Sequence, residues 1–131
     1  MRIAQSLIDE IVAHSRDDLP NECCGMVGGA DGEAWTVYRA ENAEGSPLRY
    51  SIDAREQFRL MKAIEGAGEE LVGIYHSHTK SAAYPSQTDV NLAGWPDAVY
   101  LIASLADPDA PDVKGFWIRD GEIAEADLVV G

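Results

Sequence analysis

Apolar residues recur along this chain at two periods, one helical and one alternating. In "IAQSLIDEIVAH", Ile3, Leu7, Ile8, Ile11 and Val12 fall on a single stripe, which predicts an amphipathic helix. It should end near Arg16 to Asp18, ahead of Pro20. "ECCGMVGG" then reads as a short strand of small residues, and "AWTVYRA" as its antiparallel neighbour across the Gly- and Asp-rich turn "GADGE". "ENAEGSPL" reads as loop and "RYSID" as a brief extended piece. Asp53 and Glu56 make an N-cap and N3 pair that opens a helix through about Gly66. Phe58, Met61 and Ile64 form its expected buried side.

"ELVGIYHSH" predicts a strand, followed by a loop and a short helix from Ser86 to about Ala93. "AVYLIASL" is apolar enough for a central strand, and "VKGFWIR" and "EIAEADLVV" read as two more joined at "DG". No internal repeat or low-complexity linker interrupts the series. The order predicts a mixed α/β fold, a mostly antiparallel sheet flanked by helices. With 131 residues the chain fits one domain, residues 1–131.

Composition adds restrictions. A chain that is 46% hydrophobic and 25% charged is globular rather than disordered. Its formal charge of -13, from 10 Lys plus Arg against 23 Asp plus Glu, repels phosphate backbones and anionic lipid, which argues against nucleic-acid and membrane partners. The acid surplus suits a basic docking partner or serves solubility alone. Asp9 and Glu10 interrupt any signal-like run at the start, and no apolar stretch approaches the roughly 20 residues that span a bilayer. A cytoplasmic protein is expected. Cys23 and Cys24 are adjacent, so a disulfide between them would be strained and two free thiols are expected.

The candidate chemistry lies in "HSHTKSAAYPSQTD". On a strand His76 and His78 share a face while Ser77 points away, with Val72 and Ile74 expected behind the pair. Taken alone, Ser86 and Asp89 read as a helix cap. Taken with the histidines, they let a helix start return one carboxylate to two imidazoles across a seven-residue loop. Two His and one Asp with a position left for water suit one catalytic zinc ion.

His-x-His, seven residues, then Ser-x-x-Asp resembles the motif of the JAMM (MPN+) metalloprotease family. "PNECCGMVGG" is similar to the early strand on which that family carries a Glu. The resemblance implies a JAMM/MPN-like (cytidine-deaminase-like) fold and a zinc metallopeptidase. It implies His76, His78 and Asp89 as ligands, Glu22 as general base and Ser86 as a donor to the tetrahedral intermediate. Within the family the chain is most similar to the actinobacterial CysO-cysteine peptidase type. That likeness implies a small ubiquitin-like sulfur-carrier partner, cut after its terminal Gly-Gly to release cysteine. Such a substrate leaves a carboxylate near the site, for which Arg49 and Lys80 are the candidate cations.

The chain departs from many members at Thr79, where they have Pro, which bears on substrate preference. Alternatives remain an isopeptidase acting on another ubiquitin-like modifier and a catalytically silent MPN scaffold. A zinc deaminase needs Pro-Cys-x-x-Cys, and no cysteine follows Cys24. The glycines of "GMVGGADG" do not space as a nucleotide loop. The sequence leaves monomer or homodimer open.

Overall fold

A computed structural model describes residues 1–131. The expected mixed α/β fold is what the chain forms. In chain order its elements are β1 Arg2–Ile3, α1 Gln5–Asp17, β2 Cys24–Ala30, β3 Glu33–Ala40, α2 Ala54–Gly66, β4 Glu70–His78, α3 Gln87–Leu92, β5 Val99–Ser104, β6 Asp112–Arg119, β7 Glu122–Ala126 and β8 Val129–Val130. Eight strands make one sheet in the order β7-β6-β5-β4-β2-β3-β1-β8. The pairings β2/β3, β2/β4, β5/β6 and β6/β7 are antiparallel, whereas β4/β5 and the short pairs of β1 are parallel.

Two hairpins close on Asp-Gly. Asp31 and Gly32, like Asp120 and Gly121, all have positive φ, the backbone of the tight turn that matches strand twist. Helix α1 covers one face of the sheet, packing Leu7 and Ile11 against Cys23, Val27, Tyr75 and Leu101. Helix α2 covers part of the other, with Leu60 and Ile64 against Cys24, Met26 and Ala40. Cys23 and Cys24 thus point to opposite faces, both buried and free. No helix is long and apolar enough to cross a membrane.

Several elements differ from expectation for local reasons. Helix α1 starts at Gln5 because Arg2 and Ile3 pair with β8, and Gly131 N donates to Ile3 O at 3.1 Å. The last apolar run is therefore two strands, β7 and β8, at opposite edges of the sheet. "RYSID" joins no strand. Asp53 caps α2 as expected, accepting from Arg55 N at 3.1 Å. Glu56 does not complete a capping box: its carboxylate accepts from Glu41 N and pairs with Arg59. Phe58, expected inside, is 65% exposed, and Leu60 takes the core position beside Ile64. Lys62 lies over the Phe58 ring, a cation–π contact that suits a surface aromatic.

Val72 also departs from its expected face. The β2/β4 register shifts between Val27 and Gly28, whose partners are Gly73 and Leu71, so Val72 is the extra residue of a β-bulge. It packs toward the α1 cluster, and Leu71 takes its place on the face that carries Ile74. Beyond the bulge the alternation runs undisturbed to His76 and His78.

Gly25 pairs with Tyr75 across β2 and β4, and a methyl group there would meet the Tyr75 ring and the Tyr38 carbonyl. Gly25→Ala is expected to cost roughly 1–3 kcal/mol, read as a lower urea midpoint. An unchanged midpoint would show that the strands part easily.

Candidate functional site

Strand β4 ends at His78, and its register with β2 pairs Cys24 with His76. Cys23 and Ser77 come next: Cys23 N donates to Ser77 Oγ at 2.8 Å and Ser77 N to Cys23 O at 3.2 Å. Continuing that register brings Glu22 opposite His78 and onto the face of both histidines. Ser77 turns its side chain to the other face, as expected.

The carboxylate arrives from α3. Ser86 Oγ accepts from Asp89 N at 3.1 Å, and Asp89 Oδ2 accepts from Ser86 N at 2.9 Å. That reciprocal capping box fixes the Asp89 rotamer. Its Oδ2 then lies 3.0 Å from His78 Nε2 and 3.2 Å from His76 Nε2, and the two nitrogens are 3.2 Å apart. All three residues are buried, and they form a group with metal-ligand geometry.

The triangle suits a small cation. A tetrahedral zinc ion about 2.0–2.1 Å from each N or O ligand spaces those ligands roughly 3.3 Å apart. The donor set has the right electronic form as well. His78 Nδ1 donates to Ala82 O at 2.9 Å, which leaves the Nε2 lone pair directed at Asp89 and His76 when the ring is neutral. Facing lone pairs at such distances repel unless a proton or a metal ion lies between them.

The electrostatics follow from burial and these contacts. Burial pushes His76 below its ordinary value, toward the neutral ring. At His78 burial acts the same way, but hydrogen bonds to Asp89 and Ala82 outweigh it and raise the value. Burial opposes ionisation of Asp89, yet hydrogen bonds from His76, His78 and the Ser86 amide hold its carboxyl far below the usual range. Glu22 has no such donors. Burial raises it to about 7 against the opposing pull of His78, and its Oε1 has no hydrogen-bond partner. Two carboxyls in one site are thus driven in opposite directions by their surroundings.

A cleft of about 650 Å³ opens over this group, with Glu22, His78, Lys80 and Ser86 in its walls. Leu48, 82% exposed, and Leu19 stand at its rim. Lys80 therefore borders the cleft. Arg49 does not line it and pairs with Glu44 at 3.5 Å. Thr79 Oγ1 approaches Pro47 O at 3.4 Å and links the two loops of the cleft wall.

Sequence reasoning missed two neighbours. Tyr50 stacks on His76 with ring centroids 4.5 Å apart. Asn42, buried just past β3, bonds the backbone of Glu22 and of the segment around Tyr50. Asn42 lies buried between exposed neighbours, and that burial, which sets it apart, is not visible in the sequence.

An end-of-strand pair of imidazoles, a carboxylate from a capped helix and a second carboxyl raised by burial in the cleft wall define a hydrolase of the JAMM peptidase type. The sequence model described as prokaryotic homologs of the JAB domain matches residues 4–119, and the chain belongs to that family. It is 42% identical over 125 residues to a CysO-cysteine peptidase of Mycobacterium tuberculosis, covering 94% of this chain and 86% of the relative. It is 38% identical over 138 residues to a desampylase of Haloferax volcanii, covering 99% and 96%. A solution structure of a Desulfitobacterium hafniense protein superposes with a TM-score of 0.91 at 36% identity, covering 99% of this chain and 92% of that one.

Because Ser86 closes the capping box, Ser86→Ala is expected to lower stability by about 1 kcal/mol, measured by urea denaturation of metal-free protein. Unaltered stability would mean that the box contributes nothing to α3.

Proposed function

We propose that this chain is a zinc peptidase that cuts after the C-terminal Gly-Gly of a small ubiquitin-like carrier protein and releases the residue built on it, cysteine in the first instance. The observation that carries the reading is the convergence of His76, His78 and Asp89 on one point with the unpartnered Glu22 carboxyl beside His78 in the cleft wall. The M. tuberculosis relative supports the cysteine-terminated substrate by its name.

His76 Nε2, His78 Nε2 and Asp89 Oδ2 would hold the ion, one per chain. Zinc bound there supplies Lewis acidity, acidifying water and polarising a carbonyl. Glu22, raised to about 7 by burial, is matched to taking a proton from water and passing it to the leaving amine near neutral pH. Ser86 Oγ accepts from the Asp89 amide, so its hydroxyl hydrogen is left to donate toward the scissile carbonyl oxygen as charge develops there. Glycine's freedom of backbone and small width suit a tail that must enter a cleft lined by Leu48 and Lys80.

Lys80 is the cation that borders the cleft, whereas Arg49 is engaged with Glu44. The carboxylate of a released cysteine is therefore assigned to Lys80, with Arg49 as a second cation only if its ion pair opens. A carboxylate contact of this kind acts equally on ground and transition states and appears in KM.

Two experiments test the reading. Parent protein is expected to carry about one zinc per chain and Asp89→Ala little, by elemental analysis. Glu22→Gln should keep the metal and lose on the order of 100-fold or more in turnover. Full occupancy in Asp89→Ala removes Asp89 from the ligand set, and retained turnover in Glu22→Gln removes the proton-transfer role.

The second compares carriers ending in Gly-Gly-Cys, in Gly-Gly-Cys amide and in Gly-Gly joined to a lysine side chain, by mass spectrometry. Fastest cleavage of the free-acid cysteine substrate is expected, with KM raised by Lys80→Ala for that substrate alone. Preference for the lysine-linked carrier would favour an isopeptidase, and no cleavage of any would favour a silent scaffold.

A further inference from the structure

Between β3 and α2 the chain runs from Glu41 to Asp53 without joining a strand or helix, yet it builds one wall of the cleft. Pro47 and Leu48 line it, and Tyr50 lies against His76. Such a segment has no backbone ladder to hold it, so its polar groups need partners elsewhere. One side chain supplies partners for four of them. Asn42 is buried, while Glu41 and Ala43 on either side are exposed.

The Asn42 amide is used in full. Its Nδ2 donates to the carbonyls of Glu22 at 3.0 Å, Arg49 at 3.1 Å and Ser46 at 3.4 Å. Its Oδ1 accepts from Glu44 N at 3.0 Å and Ser51 N at 3.3 Å. Carbonyls surround one end and amide hydrogens the other, which fixes a single orientation of the group. Glu22 N also donates to Ser46 O at 2.9 Å. The backbone of Glu22 and the segment from Glu44 to Ser51 are therefore tied through one buried amide.

We propose that Asn42 is a positioning residue of this site: its amide holds the Glu22 backbone and the Glu44–Ser51 segment together, so that Glu22 lines the cleft beside His78 while Tyr50 stays stacked on His76. The effect on turnover rests on the peptidase reading given above, whereas the effect on the segment does not. Because Asn42 touches neither the cleft nor the three converging residues, it acts only through the groups it holds. Misplacing a reacting group by about 1 Å is enough to lower turnover by about 100-fold.

Two substitutions separate the halves of the amide. Asn42→Ala removes every bond. Asn42→Asp keeps the volume and the two accepted bonds but sets a carboxylate oxygen against three carbonyls. Ile11→Val, a core change in α1 on the other face of the sheet, serves as a control for lost stability. The independent readout is native-state trypsin cleavage after Arg49, which is exposed and lies inside the tied segment. Turnover, KM and zinc content are measured beside it.

Both Asn42 variants are expected to be cut after Arg49 about tenfold faster or more than parent, to retain zinc, and to lose about tenfold or more in kcat. Ile11→Val should melt lower with parental cleavage and turnover. If Asn42→Ala does not fold, Asn42→Asp carries the test. Parental cleavage rates in the folded Asn42 variants overturn the proposal, as does equal acceleration in Ile11→Val. Faster cleavage with unchanged kcat and KM also overturns it, reducing Asn42 to a brace for an exposed loop. A parent that cuts no carrier removes the peptidase reading and leaves the trypsin result to judge the tie by itself.

Discussion

Everything at the cleft depends on the register between β2 and β4. With Cys24 opposite His76, the chain just before β2 delivers Glu22 beside His78, and the pleat turns both inward. A slip of one residue would send Glu22 toward α1 and place Cys23 on the face of the histidines. The structure guards against such a slip from several sides. Tyr75 occupies the space that Gly25 leaves by lacking a side chain, Ser77 hydroxyl accepts from Cys23 N, and the bulge at Val72 absorbs the mismatch farther down the strand.

Given that register, local surroundings decide what each acid does. Asp89 is buried but encircled by donors, so it stays charged. Glu22 is buried without them, so it titrates about where water chemistry near neutrality requires. The difference arises from secondary structure. Asp89 sits in the first turn of α3, where a free backbone amide is available to it. Glu22 lies ahead of a strand, where its own backbone is already engaged with Ser46 and Asn42.

Much of this was legible in the sequence, because short-range pattern carried it. The pleat put His76 and His78 together, the Ser-x-x-Asp spacing marked a capped helix, and both Asp-Gly hairpins formed where written. What escaped notice needed knowledge of distant partners. Ile3 belongs to a helical stripe by spacing, but β8 recruits it into the sheet. Phe58 is as apolar as Leu60, and only the position of β2 decides which one is covered. Val72 alternates correctly until a bulge shifts it. Arg49 and Lys80 looked equivalent as nearby cations, and Glu44 distinguishes them. Tyr50 and Asn42 carry no motif, and only folding brings them beside the histidines and Glu22.

The one long parallel pair in the sheet, β4 with β5, has a consequence for how such a protein can change. Parallel neighbours require a crossover, and here it runs through α3 and the stretch from Ala93 to Ala98. The crossover brings in Ser86 and Asp89 early, and its remainder packs Ala93 and Trp95 against the core on the way to Val99. Gly94, Pro96 and Asp97 are exposed, and lengthening a surface connection costs little, about 0.6 kcal/mol for each doubling. That stretch is thus a natural point of growth. New surface can be inserted there without altering the strand pairing that sets Glu22 beside His78.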